Sequence, residues 1–100
     1  PNVPHVDNRI PLKEQVYGVE INGEAVAYRL DHLRKSGHIV DTVGGETITV
    51  KYFADYDYID MFYGDTPDVM PLDEEHKVPH ASRILWGIWS NFYQDTAVRA

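Results

Sequence analysis

Alternation between apolar and polar positions dominates the first half of the chain. In "QVYGVEINGEAVAYRL", apolar side chains recur at every second residue on both sides of Asn22-Gly23, the period of a strand with one buried face. Both central positions of a type I′ turn need positive φ, which Asn and Gly supply at least cost. With Asn22 and Gly23 in the turn, Val19 falls opposite Val26 and Tyr17 opposite Tyr28, so apolar side chains meet on one face. "HIVDTVGGETITVKYF" predicts a second hairpin, with Gly44-Gly45 in the turn and strands near 38 to 43 and 46 to 53. Between them "DHLRKSG" predicts a short helical connector, with Asp31 as N-cap, basic residues in the last turn and Gly37 as the stop.

The period changes near the end. "SRILWGIWSNFYQ" carries apolar residues at Ile84, Leu85, Trp86, Ile88, Trp89, Phe92 and Tyr93, which predicts a helix with Ser82 as N-cap, covered on most sides. Residues 1–14, "PNVPHVDNRIPLKE", hold three prolines and no period. They read as an extended arm that lies across the domain or reaches a neighbour, with Val3, Val6, Ile10 and Leu12 to bury. "TPDVMPLDEEHKVP", Thr66 to Pro79, reads as a surface loop and the least ordered part of the chain. The expected architecture is α+β: two β-hairpins forming a small, mainly antiparallel sheet packed against a C-terminal helix, with the arm in front and residues 15–100 as a single domain.

Composition narrows the functional classes. With 43% hydrophobic and 12% aromatic residues in 100, the chain is a folded domain with one compact core that buries roughly two-thirds of its unfolded surface. A formal net charge of −7 with nine Lys and Arg disfavours nucleic acid and anionic lipid as partners. No apolar run approaches the roughly 20 residues that cross a bilayer. The chain has no cysteine, which excludes disulfides, thiolate metal sites and cysteine nucleophiles. Beginning at Pro1 without a methionine or an apolar signal core, it is compatible with a processed mature chain, a fragment or the ordered part of something longer.

Three stretches, "VYGVEINGEAVAYRL", "DTVGGETITVKY" and "LWGIWSNFYQDTAV", together resemble the bacterial and archaeal family catalogued as domain of unknown function 3179. In that family a V-x-G-V-E-x-x-G-E-A-x-A-Y-x-L strand pair precedes a D-x-V-G-G turn, and a W-x-x-W-x-x-x-x-P-D-T segment closes the domain. The resemblance runs from about Val16 to Val98. It implies no settled activity, but it does imply a location outside the cytoplasm, periplasmic or secreted, because many members look exported. Many also carry a Y-C-P-L-C-G segment; Tyr52 matches its tyrosine, while Phe53 and Tyr56 stand where the cysteines would be. Gln94 stands where the closing segment usually has proline. The chain therefore resembles a cysteine-free, C-terminal-half-like or shortened member.

Candidate chemistry is sparse. Asp41 falls opposite Ile48 on the apolar face shared by Ile39, Val43 and Val50, where a carboxylate is costly unless bonded. Its first reading is an acceptor of backbone N–H groups that fixes the turn; a catalytic or ligand-binding role with nearby tyrosines or histidines is the sharper one. Asp55, Asp57 and Asp60 supply hard oxygen ligands for a divalent cation such as calcium, or else charges that protect an edge strand from aggregation. His76 and His80 have metal-ligand spacing, with Glu74 or Glu75 nearby, but Pro79 opposes a helix there. Tyr52, Tyr56, Tyr58 and Tyr63 offer an aromatic surface for a protein partner. Trp86 and Trp89 read as core before they read as a sugar or quinone platform. The leading functional expectation is a non-catalytic, extracytoplasmic binding or accessory domain that contacts a protein partner without a cofactor, ahead of an enzyme or ligand site at Asp41 and of a divalent-cation module.

Overall fold

Both residues of the Asn22-Gly23 turn adopt positive φ, 49° and 84°. The strands they join, β1 (Gln15–Ile21) and β2 (Glu24–Arg29), pair antiparallel with Val19 opposite Val26 and Tyr17 opposite Tyr28. This geometry comes from a computed structural model, which describes residues 6–99. β2 runs directly into helix α1 (Leu30–Ser36), so Arg29 occupies the N-cap position and Asp31 sits inside the first turn instead of capping it. Gly37, at φ 82°, closes the helix by donating its N–H to the Leu33 carbonyl at 2.8 Å. Its own carbonyl accepts the Tyr52 N–H, also at 2.8 Å, which ties the helix end to the second hairpin.

That hairpin consists of β3 (His38–Val43) and β4 (Glu46–Phe53), with Asp41 opposite Ile48 and positive φ at Gly44 and Gly45. One 3-10 turn, Ala54–Tyr56, leads into β5 (Tyr58–Tyr63), giving a three-stranded sheet in the order β3-β4-β5. The other sheet has the order β6-β1-β2-β7, where β6 is Ser82–Leu85 and β7 is Ala97–Arg99, parallel to β2. The class is α+β, with mostly antiparallel strands and a C-terminal helix, α2 (Trp86–Phe92). Each hairpin anchors its own sheet. Tyr17, Val19, Val26 and Tyr28 from one sheet and Val43, Ile48, Val50 and Met61 from the other form a shared core.

The last helix is shorter than its apolar pattern predicts. Ser82 does not cap it: residues 82–85 extend along the free edge of β1, with Ser82 opposite Gly18 and Leu85 opposite Gln15. That edge offers a row of unpaired backbone groups, and pairing with them outweighs one further helical turn. α2 then turns Trp86 and Trp89 onto the outer face of the first sheet, among Val16, Ala27 and Ile10. A Cβ on Gly18 would lie 2.6 Å from a Trp89 ring atom, so the glycine in mid-strand makes room for the indole. Coverage is one-sided, since Leu85, Ile88 and Phe92 remain exposed.

The described part of the arm, residues 6–14, lies across the domain itself. Ile10 is buried, the Trp86 indole N–H donates to the Asp7 carbonyl at 2.9 Å, and the Arg9 guanidinium stands over the Trp86 ring at 5.4 Å while pairing with Asp7. Val6 and Leu12 stay exposed, and Val3 lies outside the described residues. Residues 66–79 form the expected surface loop, and parts of it bond back to the second sheet. Lys51 Nζ donates to the carbonyls of Pro67 at 2.6 Å and Val69 at 3.0 Å, and residues 76–78 bond along the outer edge of β5 through Tyr63 N–H to His76 O and Val78 N–H to Met61 O.

Candidate functional site

Asp60 is the side chain that sequence reasoning placed least well. Among solvated edge charges it was expected outside, yet it is 1% exposed. One carboxylate oxygen accepts the Tyr17 hydroxyl at 3.0 Å and the Met61 N–H at 2.9 Å; the other accepts the Tyr58 hydroxyl at 2.5 Å and faces Lys77 Nζ at 3.3 Å. Four donors saturate the group, and a buried carboxylate is tolerable only on such terms. The edge-protection reading fails for this residue because residues 76–78 cover the β5 edge. The surrounding cleft, about 290 Å³, also has Ser82 and Arg83 in its wall. Burial, then the nearby Asp60 charge, pushes the Tyr17 phenol well above its ordinary value, and burial with the Asp60 hydrogen bond pushes Tyr58 up to about 12.

Asp41 has a matching arrangement on the opposite edge strand. It accepts the Tyr28 hydroxyl at 2.8 Å, the Arg99 Nε–H at 2.9 Å and the Thr42 N–H at 2.8 Å. Partial burial pushes its carboxyl up, but the bonds from Tyr28, Arg99 and Thr42 outweigh that and hold it below the ordinary carboxylate value. Backbone acceptance, its first reading, is therefore joined by two side-chain donors from the other sheet. Tyr17 and Tyr28, directly opposed across β1 and β2, thus each donate to an aspartate of the second sheet.

The other expected site residues separate. Asp57, at φ 45°, accepts the Tyr52 hydroxyl at 3.0 Å and faces Arg34 at 3.5 Å, while Asp55 is exposed on the 3-10 turn. Asp57 and Asp60 share the cleft of about 290 Å³ but hold different donors, and Asp55 lines the separate groove beside Tyr56. His76 pairs with Asp73 at 3.1 Å, whereas His80 meets the Glu20 carbonyl at 2.7 Å. Among the described residues no group of three or more His, Asp or Glu side chains is arranged to hold a metal ion. The tyrosines divide as well: Tyr58 turns to Asp60 and Tyr63 ends β5, but Tyr52 and Tyr56 line one groove of about 390 Å³.

Phe53 and, from the distant loop, Val69, Met70 and Pro71 also line that groove, together with Lys51, Ala54 and Asp55. Tyr56 is 69% exposed and Met70 71%, and Leu72 just beyond is 67% exposed with φ 65°. A non-glycine residue held in the left-handed region carries local strain. Here such residues flank both lips, Asp57 on one and Leu72 on the other. The loop residues gave no sequence signal beyond their prolines, because bonds from distant β4 hold them: Lys51 to the carbonyls of residues 67 and 69, and the Thr66 N–H to Thr49 Oγ1 at 2.9 Å.

Residues 2–78 match the model of a protein family of unknown function, DUF3179. The chain belongs to the DUF3179 family. No curated protein and no solved structure gives a match. The matched span contains both hairpins, Asp41 and Asp60, and it ends at Val78, before β6, α2 and β7, so Arg99, which donates to Asp41, lies beyond it. The closing W-x-x-W resemblance therefore lies outside it. Phe53 and Tyr56 are both groove residues.

Proposed function

We propose that this DUF3179 chain is a non-catalytic binding or accessory domain that contacts a protein partner through the groove between the Ala54–Tyr56 turn and residues 69–72. The observation carrying this reading is that Tyr56 and Met70, both strongly exposed, line one groove, with exposed Leu72 following its Pro71 in the chain. Tyrosine buries a large area at small entropic loss, and methionine adapts to irregular surfaces, which is the composition of interface anchors. A non-catalytic role is supported by the saturation of Asp41 and Asp60, whose oxygens already hold donors from Tyr28, Arg99, Tyr17, Tyr58 and Lys77. The reading requires no cofactor. Placement outside the cytoplasm rests on the family resemblance alone.

The test is site-directed photo-crosslinking from position 56 in the native host, with a probe at Glu46 as the control, followed by reconstitution with the protein captured. Tyr56→Ala combined with Met70→Ser is expected to weaken the reconstituted complex by about tenfold or more while leaving the melting temperature unchanged. Equal affinity of this variant and the parent chain would overturn the proposal.

A further inference from the structure

The outer face of α2 has a composition that its place in the fold does not use. Trp86, Trp89 and Ser90 face inward, while Leu85, Ile88 and Phe92 face solvent at spacings of three and four residues, 38%, 46% and 75% exposed. Ile88 and Phe92, four apart, share one face of α2, and Leu85, the last residue of β6, precedes the helix at its N-cap position. Leu12 widens this stripe, because the Gly87 N–H donates to its carbonyl at 2.9 Å and the arm runs close against the helix.

At its C-terminal end the stripe enters a cleft of about 420 Å³. Phe92 and Tyr93 form one wall, and Glu20, Glu24 and Asp95 supply three carboxylates. The nearby cation, Arg99, is engaged by Asp41 at 2.9 Å and by Glu24 at 3.8 Å. Among the described residues no cation lies within salt-bridge distance of Glu20 or Asp95. Aromatic faces beside uncompensated carboxylates attract an ammonium or guanidinium group.

We propose that this face docks a segment of a partner protein that presents apolar side chains to Leu85, Ile88 and Phe92 and a lysine or arginine to the acidic cleft. Charge complementarity selects that occupant over a second copy of the chain. Each copy carries a net charge of −7, and pairing two stripes would bring Glu20, Glu24 and Asp95 of both copies toward one interface, where like charges disfavour association. This surface is distinct from the tyrosine groove. α2 lies on the outer side of the first sheet and the groove belongs to the second, with their shared core between them.

The experiment titrates the full chain, isotopically labelled for amide NMR, with a synthetic helical peptide of leucine and lysine about 18 residues long, or five helical turns. A peptide with glutamate in place of lysine serves as the comparison. The leucine-lysine peptide is expected to shift the amides of residues 92–95 and of Glu20, and binding should weaken as salt is raised. Phe92→Ser, and separately Glu20→Gln with Asp95→Asn, should each reduce affinity roughly tenfold, while Tyr56→Ala leaves it unchanged. These positions are exposed, so unaltered melting verifies that each variant is folded. Equal binding of the glutamate peptide, shifts confined to other surfaces, no binding, or a dimer abolished by Phe92→Ser would each overturn the proposal.

Discussion

Asp41 and Asp60, on the two outer strands of the second sheet, are accommodated in the same way. Both accept a tyrosine hydroxyl from the first sheet and a cation, Arg99 or Lys77. These polar bonds also fix how the sheets meet, since apolar contacts alone tolerate sliding more readily. A pH profile reads them directly. Folding lowers the Asp41 proton affinity despite partial burial, through Tyr28, Arg99 and Thr42. The unfolded chain therefore binds more protons in acid, and stability present above about pH 4 should fall as pH drops through the folded value. The melting temperature of Asp41→Asn should be lower than the parent's near neutrality and should vary less below pH 4. In alkali the raised phenols act in the other sense. An unfolded tyrosine ionises near about pH 10, so stability should decline as pH climbs from there, through about 12 for Tyr58, whose shift comes first from burial and then from its bond to Asp60. A flat profile above pH 10 would contradict this account. Asp41 was legible in the sequence as a carboxylate on an apolar face, because strand alternation places it there. Asp60 was not, because its donors Tyr17 and Lys77 come from other segments.

At the scale of elements, the two predicted turns are parts of one device. The Asn22 side chain donates to the Gly44 carbonyl at 2.8 Å, and the Gly44 N–H donates to Glu24 at 2.7 Å, so the hairpins clasp turn to turn. Both residues of the glycine pair have positive φ, but they differ in surroundings. A Cβ on Gly44 would fall 2.1 Å from the Ile21 carbonyl oxygen, whereas one on Gly45 meets nothing within 4 Å. Gly45→Ala should therefore cost only the left-handed penalty, about 1 kcal/mol. Gly44→Ala adds a backbone clash and should cost roughly 2–4 kcal/mol. Urea unfolding of the two variants measures the difference, and equal midpoints would sink the clasp. Hairpin register was readable because period and turn chemistry are properties of a few adjacent residues. β6 was not, since "SRIL" fits either a strand or a helix and the vacant edge of β1 decided between them.

For the whole molecule, the two sheets separate two unlike surfaces: an aromatic groove with Tyr56 and Met70 on one side, and the α2 stripe with its acidic cleft on the other. If both proposed contacts form, they should form together. The partner captured at position 56 and the leucine-lysine peptide are expected to bind one chain simultaneously, giving a ternary species in native mass spectrometry; mutual exclusion would show that the surfaces are coupled. By itself the sequence determined both hairpins, their registers, the glycine turns and the inward-facing tryptophans, because each follows from local backbone preference and the spacing of apolar residues. Only the tertiary structure decided which polar groups are buried, that Tyr56 stands beside Met70, and that half of an apolar helix stays uncovered. Those outcomes depend on segments far apart in the chain, such as Tyr17 and Asp60, 43 residues from each other, and no local pattern encodes which distant donor or covering layer will arrive.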